Sequence, residues 1–152
     1  MKVITSVDDA VDAVGQELGV GNWKEIDQQR IDAFADVTED HQWIHVDTDR
    51  AKGESPYGAT VAHGFLTLSL IPKLSKDTYR VDNAKMGVNY GLNKVRFLAP
   101  VTPGSRIRVR SELAAADMVN DNTVNLTVRH TLEIEGHERP AAVVELIARY
   151  IF

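Results

Sequence analysis

The sequence predicts an α+β fold in which an antiparallel β-sheet wraps around one central, buried α-helix. Two observations carry this expectation. From Val124 to Ile134, Val124, Leu126, Val128, His130, Leu132 and Ile134 alternate strictly with Asn125, Thr127, Arg129, Thr131 and Glu133. That is the period of a strand with one buried face. Earlier in the chain, Phe65, Leu66, Leu68, Leu70, Ile71 and Leu74 point around most of a helical wheel. A helix over about residues 60–75 is therefore expected to be buried on nearly all sides. Thr60 or His63 begins it, and Pro72 has to be accommodated near its end.

Taken in order, the first third reads as helix and loop. Val7, Val11, Val14 and Leu18 recur at helical spacing, with Ser6 placed as a cap. A second helix runs from Asp27 as cap to about Val37, with Ile31, Phe34 and Ala35 as its buried stripe. Residues 38–58 lose all periodicity and read as one long irregular segment, a length usually tied to function. Trp43, Ile44 and Val46 argue against disorder there. After the central helix, Lys85–Leu98 reads as a strand broken or bulged near Gly91. Ile107, Val109 and Leu113 alternate with Arg106, Arg108, Arg110 and Glu112, and Ala141–Phe152 is apolar enough for a central strand. Asn120-Asp121-Asn122 and Glu135-Gly136-His137 are natural turns. The 152 residues thus form one domain: helices and loop to about 58, the helix at 60–75, the sheet over 84–152. An open sheet edge with one-sided burial favours a homodimer whose partner continues the sheet.

Composition narrows the function. Hydrophobic residues at 43% and charged ones at 26% are the balance of a globular protein, not a disordered one. Cys is absent, which removes disulfides, thiolate nucleophiles and Cys-held metals together and fits a reducing, cytoplasmic setting. The N-terminus turns acidic before any apolar run, so no signal peptide is expected, and the apolar stretch Phe65–Leu74 is too short to cross a bilayer. A net charge of −5 argues against a general nucleic-acid binder. That charge is uneven: residues 1–55 carry −8, whereas residues 80–110 carry +6, with Lys94, Arg96, Arg106, Arg108 and Arg110 in the basic stretch.

Two clusters can carry chemistry. Asp40-His41-Gln42-Trp43-Ile44-His45 offers Asp40 and His45 as an acid/base pair that burial can tune toward neutral pH. A residue and its fifth neighbour diverge on any regular element, so only an irregular loop can aim both at one point. Taken alone, the spacing favours the plainer alternative, that Asp40 caps a turn and His45 is a hydrogen-bonded interior histidine. Ala62-His63-Gly64-Phe65 is the second cluster, where unpaired N–H groups at a helix start can hold a developing oxyanion and Gly64 permits close approach. Other patterns fall short. His41 and His45 lack a metalloprotease Glu and third ligand, Asp47-Thr48-Asp49 lacks the rest of a calcium loop, and no Gly-x-Ser-x-Gly elbow occurs. No metal or cofactor is expected. Trp43 and Phe97 read as core, and the Arg106, Arg108, Arg110 face as solvated unless an anion lies on it.

In combination, FADVTEDHQWIHVDTDRA, AHGFLTLSLIPKL and NKVRFLAPVTPGSRIRVR resemble, in order and spacing, the hydratase motif, buried helix and following strands of the MaoC-like family. This family comprises the (R)-specific enoyl-CoA hydratases of hot-dog fold. The resemblance covers about residues 25–152 and is strongest to its nodulation protein N-like subgroup. It implies an obligate homodimer acting on trans-2-enoyl-CoA to give 3-hydroxyacyl-CoA. It implies Asp40 and His45 as the dyad and the Gly64 N–H as oxyanion donor. Where much of the family has Asn-Pro, this chain has Gln42-Trp43: Gln42 would supply a supporting amide, and Trp43 would narrow the pocket or pack beneath the loop. His63, Lys94 and Arg96 are expected at the substrate, the two cations, or one of Arg106, Arg108 and Arg110, toward the coenzyme A phosphates. An acyl-CoA thioesterase and a non-catalytic acyl-CoA-binding protein stay open as alternatives.

Overall fold

The computed structural model describes residues 1–152. In chain order the elements are β1 (Lys2–Ile4), α1 (Val7–Asp12), β2 (Glu17–Val20), β3 (Lys24–Ile26), α2 (Gln28–Thr38), α3 (Trp43–Val46) and α4 (Thr48–Glu54). There follow α5 (Gly64–Ser69), α6 (Ile71–Leu74), a 3₁₀ turn (Ser75–Asp77), β4 (Tyr79–Val81), β5 (Met86–Phe97), β6 (Ser105–Asn120), β7 (Thr123–Ile134) and β8 (Ala142–Ile151). The main sheet runs β2-β6-β7-β8-β5 with β3 also on β6, all antiparallel, while β1 and β4 form a separate parallel pair. This is the hot-dog arrangement: a long antiparallel sheet curled over the α5–α6 segment.

The sheet follows its hydrophobic period. On β7 the six even positions from Val124 to Ile134 are all buried, and on β6 Ile107, Val109 and Leu113 are fully buried against them. The β8 strand is central, paired with β7 on one side and β5 on the other. The β5 strand is the edge, and its register slips between Asn89 and Gly91 and again between Leu92 and Lys94, a bulge at the expected place. Residues of α5 and α6 (Leu66, Ile71, Leu74) meet Ile107, Val109, Leu132 and Val144 in one core cluster.

Four expectations need correction. The first helix stops at Asp12, and Val11 and Val14 are exposed, because Gly15 turns left-handed and Leu18 buries itself from a strand instead. Three-residue strands β1 and β3 stand in a region expected to be helix and loop; β1 pairs with β4, far along the chain. Residues 38–58 are not wholly irregular: α3 and α4 form there, the latter capped by Asp47 accepting from the Arg50 N–H. Finally, the central helix is not buried all round. It breaks at Leu70, Pro72 is absorbed in the first turn of α6, and Phe65 is 70% exposed.

Candidate active site

The α2 helix is fixed by Asp27, whose carboxylate accepts from the Arg30 N–H, and by burial of Ile31 and Ala35. It ends at Glu39, a non-glycine residue in the left-handed region at φ 60°. That sharp turn reverses the chain and sets Asp40 over His63. Gln42 then opens the short α3 turn, its carbonyl accepting from the His45 N–H at 2.9 Å. His45 is buried on this turn, and its Nδ1–H donates to the Val61 carbonyl at 2.7 Å. A carbonyl only accepts, so in the neutral ring Nε2 keeps its lone pair free for chemistry.

Burial pushes the His45 imidazole below its ordinary value. The Val61 bond opposes that shift, His63 reinforces it and Asp40 opposes it. The neutral ring, able to take a proton, is therefore favoured near pH 7. Asp40, with a side chain 55% exposed, places a carboxylate oxygen within 4.8 Å of a ring nitrogen of His45, a gap one water molecule bridges. His63 completes the group from below: Nε2–H donates to the Asp40 carbonyl at 3.0 Å, and its ring stacks on His45 at 3.7 Å. The three side chains are close enough to suggest a metal site. Two rings stacked within 22° of parallel do not converge their lone pairs on one point, so the arrangement suits proton transfer better than metal ligation.

One residue on, Gly64 begins α5, and its N–H makes no hydrogen bond within the chain. A Cβ at this position would sit 3.0 Å from three atoms of the Phe97 ring, so a larger residue fits only if the ring or the helix start shifts. Gly64 lines a cleft of about 210 Å³ with Tyr57, Val61, Thr67, Phe97 and Leu98. Asp40 and His45 do not line this cleft; His45 is tied to its wall by the bond to the Val61 carbonyl, and Asp40 through His63, the neighbour of Gly64. Leu98 also lines a second cleft, about 340 Å³, with Lys94, Arg96, Arg129 and Glu145.

Several of the roles expected from the sequence change here. His63 is 3% exposed, so its side chain lies beneath the dyad and presents nothing to a substrate. Gln42 supports His45 through its backbone; its amide makes no hydrogen bond. Trp43 is half-buried under the Arg50 guanidinium, 4.3 Å away, and Phe97 is 49% exposed rather than core. The basic stretch also divides. Arg106 pairs with Glu135, Arg108 with Glu133, and Arg110 with Glu133 and Glu17, whereas Lys94 and Arg96 have no acidic partner. The three paired arginines are thus occupied by cross-strand carboxylates rather than open to phosphate.

Gln28 is a site residue that sequence reasoning missed. Its amide donates to the His45 carbonyl at 2.7 Å and to Asp32 at 2.8 Å, and its carbonyl accepts from the Thr60 hydroxyl. It ties α2, the dyad turn and the approach to α5 together. The two partners that tie it to the site, the His45 carbonyl and the Thr60 hydroxyl, lie 17 and 32 residues away, so only its place beside the Asp27 cap hints at a role.

Residues 9–134 match the pattern of the MaoC like domain. The 3-hydroxyacyl-thioester dehydratase Z of Mycobacterium tuberculosis is 48% identical over 151 residues, 99% of each chain. Nodulation protein N of Rhizobium leguminosarum bv. viciae is 45% identical over 93% of this chain and 89% of its own. The (R)-hydratase from A. caviae involved in PHA biosynthesis superposes with a TM-score of 0.70 at 22% identity, covering 89% of this chain and 94% of that one. With the pattern spanning most of its length and a relative this similar from end to end, the chain belongs to the MaoC-like family of dehydratases.

Proposed function

We propose that the protein adds water across the double bond of trans-2-enoyl-CoA to give (R)-3-hydroxyacyl-CoA, and runs the reverse dehydration. The observation that carries this reading is the one-water gap between Asp40 and His45, beside a helix start whose Gly64 N–H is free. The dyad holds a water next to C3 of the thioester. One member takes a proton from it as oxygen bonds to C3, and the dyad returns a proton to C2 on the same side. The two groups act as one unit, so the proton is assigned to the pair. The Gly64 N–H receives the thioester oxygen as charge builds on it. Acid/base help of roughly 10²–10⁴ and an oxyanion donor of roughly 10²–10³ suffice without metal or redox cofactor.

The substrate's anionic end is assigned to Lys94 and Arg96, cations of the basic stretch that have no ion-pair partner and line a cleft reached from the Gly64 cleft across Leu98. The edge strand β5 exposes Met86, Val88, Tyr90, Leu92 and Phe97, the last with its ring centre 6.3 Å from that of exposed Phe65, which supports a homodimer formed along this edge. No helix is long and apolar enough to cross a membrane.

The test is crotonyl-CoA hydration, followed by loss of ultraviolet absorbance, in Asp40→Asn and His45→Gln with folding checked by circular dichroism. Both are expected to fall by roughly 10³-fold or more. Wild-type rates in either, or thiol release from a saturated acyl-CoA in place of hydration, would overturn the assignment.

A further inference from the structure

His63 has the most unusual surroundings of any polar group near the site. Its side chain is almost wholly enclosed, and Nδ1 has no partner at all. A buried ring nitrogen without a partner costs free energy and calls for an explanation. Capping does not provide one: His63 is the residue before α5, but its side chain caps nothing. Substrate contact does not either, because the ring is enclosed. What the ring does touch is both members of the dyad. Nε2–H holds the Asp40 backbone carbonyl at 3.0 Å and lies 3.9 Å from the Asp40 carboxylate, while the ring face lies on His45 at 3.7 Å and 22°. Phe34 of α2 closes its other side at 5.0 Å between ring centres.

We infer that His63 is a positioning residue, which sets the separation of Asp40 and His45 by holding the backbone of one and the ring of the other. The inference rests on the dyad reading above and goes beyond it, since no step requires His63 to meet the substrate. Two side chains five apart in sequence, one on a loop and one on a short helical turn, have no common scaffold of their own. His63 supplies one rigid ring that spans them. The stack also places a second imidazole against His45, which disfavours a positive charge on His45. The orphaned Nδ1 fits this role: a fully hydrogen-bonded polar side chain at that depth would need another donor inside the dyad's apolar floor.

His63→Phe and His63→Gln separate the two contacts. The first keeps an aromatic face under His45 but loses the bond to Asp40; the second keeps an amide donor but loses the stack. In both, kcat is expected to fall roughly 10- to 100-fold, as misplacement by about 1 Å does elsewhere, with KM for crotonyl-CoA changed less than about twofold. The acid limb of the kcat–pH profile is expected to move to higher pH, as is the His45 proton resonance titrated by NMR in the free protein. That titration needs no turnover, and should either variant fail to fold, the other carries the test. A raised KM with unchanged kcat would make His63 a substrate contact and overturn the inference. So would wild-type kcat and an unmoved His45 titration, provided Asp40→Asn is inactive in the same assay. An active Asp40→Asn would instead bring down the dyad reading, and the positioning role with it.

Discussion

His45 and His130 are both buried imidazoles with one ring nitrogen bound to an oxygen of the chain, and they sit in opposite kinds of surroundings. His130 lies on β7, directly across from Ser111 of β6 and Val144 of β8, fully enclosed. Its Nδ1 meets the Ser111 hydroxyl at 2.9 Å, Ser111 meets Thr78 at 3.1 Å, and Nε2 has no partner. No charged group contributes to its titration; burial alone pushes it down to about 4. His45 lies where a helical turn meets a loop, with its Nε2 free of any bond in the chain and a carboxylate within one water's reach. The difference extends to the regions around them. On the outer face of β6 and β7 the arginines are matched by glutamates, whereas around Gly64 an N–H and two cations are left open. A buried histidine is placed to exchange protons when its second nitrogen looks out onto a partner and solvent; sealed in the sheet, the same ring is a stability liability in acid.

The largest effect that breaks or sharpens this contrast is the exchange of roles under mutation. His45→Gln is expected to cost roughly 10³-fold or more in hydration with little change in unfolding free energy at pH 7. His130→Leu is expected to leave kcat within about twofold. Steady-state rates and urea denaturation on the two variants check both halves. If His130→Leu lost activity as His45→Gln does, the sheet histidine would belong to the catalytic apparatus and the contrast would fail.

Acid comes next. The folded His130 resists protonation until about pH 4, whereas an unfolded imidazole takes its proton near 6.5. The unfolded state therefore binds more protons between these values, so stability falls as pH drops through that window and is intact above it. The full loss from this one ring is about 3 kcal/mol. Denaturant midpoints at pH 7, 5.5 and 4.5 should diverge between wild type and His130→Leu, with the variant losing less on acidification. Parallel curves would mean that the ring is already protonated, or solvated, in the native protein.

How much of this is legible in the amino-acid sequence differs by element. The β7 alternation and the Asp27-capped α2 are readable because each carries its own period and its own cap. The parallel pairing of β1 with β4 is not, because three residues hold no period and their partner is set by tertiary packing. Asp40 and His45 are recognisable only as part of a family motif; spacing alone does not bring them together. The Val61 carbonyl that orients His45 is invisible in sequence, since any residue offers one. The Arg108–Glu133 pair is concealed for a different reason. The two residues face each other across β6 and β7, so only the register of those strands shows the basic stretch to be neutralised there.

Gly64→Ala gives a smaller loss. The added methyl meets the Phe97 ring at 3.0 Å, tighter than an undisturbed contact, so either the ring or the helix start shifts. A displaced N–H is expected to cost roughly 10²-fold in kcat, the usual loss of one oxyanion donor. Gly64→Ala combined with Phe97→Leu, which clears the ring, should recover part of it. A double variant no better than the single would locate the defect in the helix start itself rather than in the Phe97 contact.

The smallest effect concerns charge, and it divides the basic stretch as the two histidines divide the interior. Lys94 and Arg96 are exposed and unpaired on the edge strand, whereas Arg106, Arg108 and Arg110 are committed to Glu135, Glu133 and Glu17. A cation already matched by a carboxylate adds little to the field an incoming phosphate meets, and an unmatched one adds most at low salt. Lys94→Glu with Arg96→Glu is therefore expected to raise KM for enoyl-CoA roughly tenfold at low ionic strength, with kcat unchanged and the difference shrinking as salt is added. Arg106→Gln should leave KM where it is. The comparison also has an internal control, because removing Glu133 frees Arg108 while Arg110 keeps Glu17: Glu133→Gln should deepen the salt dependence of KM if Arg108 can reach the ligand, and leave it flat if the anionic end stays at Lys94 and Arg96. A KM indifferent to both cations at every ionic strength would return the strip to solvated surface and place the phosphates elsewhere.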